Sequence, residues 1–109
     1  MRISFSDADF DDADRLIYNG ELFTGVAVED HLDGVIMGES TYLRGIQDGP
    51  ERGYRSDGTL SVEHIYRTGI IVRVRRWHEN GQLALEKHND SLGRLISEQR
   101  WDEDGNAIG

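Results

Sequence analysis

The sequence contains no cysteine and a single proline in 109 residues. Without a thiol, disulfide frameworks, thiolate metal sites and a cysteine nucleophile are excluded. Basic side chains are scarce as well: 12 Lys and Arg stand against 21 Asp and Glu, giving a formal charge of −9 and a pI near 4.7. Gripping a phosphate backbone or an anionic lipid surface takes clustered cations, so neither nucleic acid nor a membrane is an expected partner. Long apolar runs are also missing. No stretch approaches the ~20 apolar residues of a membrane-spanning helix, and residues 1–7 lack the apolar run of a signal peptide. Hydrophobic residues make up 37% of the chain, little for a globular domain. Glycine, by contrast, is abundant, at 13 residues. The expectation is one small cytoplasmic domain with many tight turns and a thin core.

The charge is divided unevenly. Residues 1–50 hold three basic and eleven acidic groups, a net −8, whereas residues 51–109 hold nine and ten, a net −1. Such asymmetry points to a charged partner for one half. An acidic segment over 1–14 followed by a single repeat domain over 15–109 is the expected organisation.

Self-similarity organises the rest. The pairs Asp33-Gly34, Asp57-Gly58, Asn80-Gly81 and Asp104-Gly105 recur at steps of 24, 23 and 24. Tyr18, Tyr42 and Tyr66 recur at 24, as do Gly45, Gly69 and Gly93; Glu39, Glu63 and Glu86 follow at 24 and 23. An aromatic residue (Tyr54, Trp77, Trp101) stands four positions before three of the turn glycines. Asp-Gly and Asn-Gly suit a two-residue type I′ turn, in which both central residues need positive φ. Around them Leu60, Val62, His64 and Tyr66 alternate with Ser61, Glu63 and Ile65, a strand pattern, and no segment sustains a helical period. The expected fold is all-β: an antiparallel meander of about seven to eight strands, built from β-hairpin repeats of roughly 24 residues. Two aromatic ladders, Tyr54–Trp77–Trp101 and Tyr18–Tyr42–Tyr66, are expected to tie the hairpins together. Glu39, Glu63 and Glu86 are expected to pair across strands with Arg52, Arg76 and Arg100, at a few tenths of a kcal/mol each.

Reactive constellations are thin. His31, His64, His78 and His88 show no short metal-ligand spacing. Asp7, Asp9, Asp11, Asp12 and Asp14 resemble the opening of a calcium loop, but Asp12 and Tyr18 fall where glycine and glutamate are required. No nucleophile elbow is present, and the plentiful carboxylates recur with the repeat, whereas a catalytic set should occur once. The one basic run, Arg73-Val74-Arg75-Arg76, reads as a solvated strand face. No cofactor, no metal and no enzymatic activity are expected.

WHENGQLALE (77–86), YRSDGTLSVE (54–63) and WDEDGN (101–106) resemble the MORN-repeat variant, a hairpin unit of roughly 23 residues. With YNGELFTGVAVE (18–29) and GIQDGPERGY (45–54), the chain is similar over about residues 7–106 to the YwqK-like antitoxin family. That resemblance implies an immunity protein that binds and neutralises a polymorphic toxin, such as a deaminase or nuclease acting on nucleic acid. A toxin of that kind needs a basic substrate groove, so an acidic surface would plug it, one antitoxin monomer to one toxin. The candidate interface acids are Asp9, Asp11, Asp12, Asp14, Glu21, Glu29, Asp30 and Asp33, with Phe10 and Phe23 as an apolar patch. The alternative is a structural scaffold of the MORN type that accepts other proteins along a sheet edge.

Overall fold

The computed structural model describes residues 1–30 and 36–109; the expected Asp33-Gly34 turn and His31 lie outside them. The short alternating segments form strands β1 (Arg2–Ser4), β2 (Asp9–Phe10), β3 (Leu16–Tyr18), β4 (Glu21–Leu22), β5 (Gly25–Asp30) and β6 (Ile36–Leu43). They continue as β7 (Ile46–Tyr54), β8 (Leu60–Arg67), β9 (Ile70–Trp77), β10 (Leu83–Asn89), β11 (Leu95–Trp101) and β12 (Ala107–Ile108). Nine of these make one sheet in the order β1-β5-β6-β7-β8-β9-β10-β11-β12, and β2-β3-β4 make a second. From β5 to β12 every pairing is antiparallel, with β1 added parallel to β5. The all-β meander expected from the repeat is therefore present, with eight antiparallel strands from β5 to β12; β1, added parallel at one edge, and the small sheet β2-β3-β4 come in addition.

The turns differ from expectation. At 55–59, 78–82 and 102–106 only the glycine has positive φ (Gly58 87°, Gly81 89°, Gly105 88°). Its N–H donates to the carbonyl three residues back, on Arg55 (2.9 Å), His78 (3.0 Å) and Asp102 (3.1 Å). These are type I turns closed by a left-handed glycine, the three-residue hairpin connection. Asp57 and Asn80 stay right-handed because their side-chain oxygens accept the N–H two residues on, from Thr59 at 2.9 Å and Gln82 at 3.0 Å, which is an Asx turn. The two-residue turns with both φ positive lie instead at Asn19-Gly20, Arg44-Gly45 and Thr68-Gly69. Gly93, preceded by one extra residue, closes a three-residue turn through Asp90.

That geometry exposes another copy of the unit. In the segment 11–15, Asp14 has φ 61° and its N–H donates to the Asp11 carbonyl at 3.0 Å, so Asp14 stands where the other copies carry glycine. Phe10 occupies the aromatic position four residues earlier. Asp9 and Phe10 pair with Ile17 and Leu16, so the sheet crosses the 14/15 boundary drawn from composition.

A single layer buries little, and the main cluster of buried hydrophobic residues lies at the N-terminal end, with Leu85 on β10 buried apart from it. Ile3, Leu16, Phe23, Ala27 and Tyr42 form it, with Phe5, Ala8 and Tyr18 packed around. Phe23 sits between Tyr18 (ring centroids 6.0 Å apart) and Tyr42 (6.4 Å). The expected Tyr18–Tyr42–Tyr66 ladder is thus interrupted by Phe23, and the Tyr66 ring meets His64 at 6.4 Å. The second expected ladder is replaced by backbone links: the carbonyls of Trp77 and Trp101 accept from Arg55 Nη2 and His78 Nε2, each in the preceding unit. The small sheet is stitched to the main one at Gly45, whose N–H donates to the Phe23 carbonyl (2.7 Å) and whose carbonyl accepts from Leu16 N–H (2.8 Å).

Two glycines separate backbone strain from steric conflict. A Cβ on Gly58 meets nothing within 4 Å, whereas on Gly45 it would stand 2.9 Å from Arg15 Cβ and 3.0 Å from the Leu16 carbonyl oxygen. Gly58→Ala should cost about 1–2 kcal/mol, the left-handed penalty alone. Gly45→Ala should cost more, because the small sheet must also shift. Urea midpoints compare the two; equal losses would show that the small sheet is not seated on this turn.

Candidate functional site

The strand register lines up Glu39, Arg52, Glu63, Arg75 and Glu86 on five successive strands, β6 to β10. Arg52 Nε donates to Glu63 Oε2 at 2.9 Å, its Nη1 lies 3.7 Å from Glu39 Oε1, and Arg75 Nε donates to Glu86 Oε2 at 2.6 Å. Arg2 extends the row, with Nη1 3.1 Å from Glu39 Oε2. Glu63 is only 8% exposed, which an acid tolerates when it is ionised and paired. The expected partner Arg76 lies opposite Val62 and Leu85 instead. One residue along a strand reverses the face, so Arg75 takes the pairing role and Arg76 points to the other side. Arg100, expected to pair with the repeating glutamates, lies near Glu98, with Nε to Oε2 3.4 Å.

Two carboxyls of the row, Glu39 and Glu86, have lowered pKa values. The Tyr54 hydroxyl, donating to Glu39 at 2.7 Å, is the largest influence holding Glu39 below the ordinary range, with Arg2 and Arg52 adding to it. For Glu86 the leading donor is His88, followed by Arg75. Burial pushes Glu51 upward, but donors from His64, Gln47 and Ser40 outweigh it, and its pKa is also lowered.

Glu51 belongs to the opposite face, where it organises a polar cluster. Its Oε1 accepts from His64 Nδ1 at 2.9 Å, and Oε2 accepts from Gln47 Nε2 at 2.7 Å and Ser40 Oγ at 3.2 Å. Tyr42, nearby on the same face, has its hydroxyl pKa raised to about 12, by burial first and then by the Glu51 charge. This face is hollowed. One recess of about 170 Å³ is bordered by Ser40, Glu51 and His64, and a cavity of about 460 Å³ continues from His64 towards Arg76, Lys87 and Arg100.

The residues expected at an interface separate into distinct roles. Asp9, Asp12, Asp14, Glu21, Glu29 and Asp30 are exposed, and none forms an ion pair with a described residue. Asp11 serves its own turn: Oδ1 accepts from the N–H groups of Ala13 (2.9 Å) and Arg15 (2.8 Å), and Arg15 closes on Oδ2. The Arg15 backbone bond leads in lowering its pKa. Phe10 is 56% exposed, but Phe23 is 3% exposed at the centre of the core. Phe23 is therefore corrected from contact residue to packing residue: the small sheet folds over it, which no local pattern reveals. Asp33 lies outside the described residues.

Sequence reasoning missed the Glu51–His64 pair and the cations that surround Leu85. No spacing along the chain signals them, because Glu51, His64, Arg76, Lys87 and Arg100 stand on five different strands and come together only through the register. Among the described residues no group of three or more His, Asp or Glu is placed to hold a metal ion, and no helix is long and apolar enough to cross a membrane. No known protein family, curated protein or solved structure matches the chain.

Two measurements check these assignments. Phe23→Ala should destabilise by about 3–5 kcal/mol, while Phe10→Ala should change stability by no more than about 0.5 kcal/mol; similar losses would contradict the placement of the core. Glu39, Glu51 and Glu86 have folded pKa values below their unfolded ones, so their stabilisation is complete above the unfolded value of about 4.3. It disappears as pH falls through the folded values. The urea midpoint should therefore fall steadily on acidification below about pH 4.3, and less steeply in Glu39→Gln. An identical acid dependence in that variant would remove Glu39 from the account.

Proposed function

We propose that the chain is a non-catalytic immunity protein that binds a toxin domain through its acidic N-terminal region and blocks a basic substrate groove. The observation that carries this reading is the uneven pairing of charge. Every glutamate on β7 to β11 is bonded to an Arg, Lys or His: Glu51 to His64, Glu63 to Arg52, Glu86 to Arg75 and Glu98 to Lys87. Asp9, Glu21, Glu29 and Asp30 on β2, β4 and β5, with Asp12 and Asp14 in the first turn, have no such partner among the described residues. Their field is left for an external cation, and like charges held together cost stability unless something offsets them. Phe10, exposed next to Asp9 on β2, provides an apolar anchor of the kind that dominates interface energetics. The resemblance to the MORN-repeat variant and its antitoxin family supports the same reading.

A scaffold role is favoured by a different feature, the outer edge of β11. β12 pairs only with Arg100 and Trp101, so backbone groups over 95–99 remain open to an added strand. The two readings separate on one experiment. The protein is co-expressed with the product of the adjacent reading frame, tested first for toxicity on its own, and association of the purified pair is followed by stopped flow. The immunity reading expects restored growth. It also expects at least about tenfold slower association at low salt for the variant combining Asp9→Asn, Asp12→Asn, Asp14→Asn and Glu21→Gln, the gap closing as salt rises. Failure to restore growth leaves the scaffold reading; restored growth with an unchanged association rate rejects the acidic region as the contact.

A further inference from the structure

The cations on the hollowed face form a cluster that neither the fold nor the acidic region requires. Arg76 on β9 and Arg100 on β11 both lie opposite Leu85 on β10, so the two flank it in one row. Lys87 lies two residues further along β10, on the same face, opposite Val74 and Glu98. With strands about 4.8 Å apart and residues about 3.4 Å apart along a strand, the three Cα atoms fall within roughly 10 Å of one another. All three side chains line the 460 Å³ cavity.

Their charge is not balanced. Glu98 is shared, with Oε1 3.3 Å from Lys87 Nζ and Oε2 3.4 Å from Arg100 Nε. Arg76 forms no ion pair with a described residue. The next carboxylate on this face, Glu51, is held by His64, Gln47 and Ser40 and borders the neighbouring recess, while Glu63 and Glu86 project from the opposite face. Three cations therefore share one carboxylate, and two positive charges stand uncompensated around a hollow in a chain whose net charge is −9.

Besides His64 and His78, the remaining walls are apolar or aromatic, chiefly Leu85, Val74, Ile108 and Trp101. His78 Nε2 donates to the Trp101 carbonyl at 2.8 Å, which braces that side of the cavity. We infer that this cavity binds a small organic phosphate. A phosphate monoester carries a charge near −2 at neutral pH, matching the uncompensated charge. Two guanidinium groups offer the planar forks that pair with phosphate oxygens. The volume lies within the ordinary range for small-molecule sites, and the apolar wall accommodates the organic portion.

The test titrates the full chain separately with phenyl phosphate and inorganic phosphate by calorimetry. Phenyl phosphate should bind saturably and more tightly than inorganic phosphate. Arg76→Gln, at an exposed residue without an ion pair, should weaken it about tenfold. Glu98→Gln should tighten binding, because it removes the carboxylate that competes for Lys87 and Arg100. Asp12→Asn with Asp14→Asn should leave the affinity unchanged, separating this site from the acidic region. Equal affinity for the two probes overturns the organic assignment. Absence of saturable binding in correctly folded protein, or binding indifferent to Arg76→Gln and Glu98→Gln, overturns the site.

Discussion

The alternating row Glu39, Arg52, Glu63, Arg75 and Glu86 crosses five strands, and much else in the structure depends on it. Away from the N-terminal end, where the small sheet folds over Phe23, the main sheet is a single layer among the described residues, so hydrophobic burial cannot by itself select the register there. Alternating charge can, because a slip of one residue would carry each side chain of the shifted strand to the other face and away from its partner. Each contact is worth only a few tenths of a kcal/mol. Their joint consistency discriminates one register from its neighbours, and backbone pairing contributes the cohesion. With the row in place, Arg76, Lys87 and Arg100 necessarily project from the opposite face.

The rest of the architecture follows from how each unit meets the next. Side-chain donors at the start of one turn reach a carbonyl in the following unit, as Arg55 does to Trp77 and His78 to Trp101. Arg44 N–H finds Thr24 Oγ1 and Thr68 N–H finds Asp48 Oδ1, at the same separation of 20 residues. Such links are polar and local to neighbours, as expected of a quasi-one-dimensional array. At the N-terminal end the chain folds back, and there, among the described residues, a cluster of buried hydrophobic residues forms around Phe23.

Charge is thereby sorted over the surface. Glutamates along the middle strands are neutralised by pairing, exposed acids without an ion pair stand on β2, β4 and β5 and in the later turns at Asp57, Glu79, Glu103 and Asp104, and a surplus of cations lines the hollow beside Leu85. A uniformly acidic surface would favour solubility alone. The exposed carboxylates on β2, β4 and β5 and the cations in the concavity are instead two chemically distinct surfaces.

Period, strand content, turn positions and the charge imbalance were legible in the residues themselves, because each arises from local chemistry: glycine admits positive φ, alternation matches the pleat, and composition sums the charge. The first copy of the unit escaped notice because Asp14 takes the glycine position and its hairpin arm is shorter. Which arginine faces which glutamate, why Phe23 is inside while Phe10 is outside, and where three cations converge were decided only by the assembled sheet. Bulges near Ser40, Gly53, Ile65 and Leu83 shift the count between strands, and each shift moves side chains to the other face. Partners 11 to 13 residues apart, such as Glu51 and His64 or Arg52 and Glu63, are therefore set by pairing across strands and not by spacing along the chain.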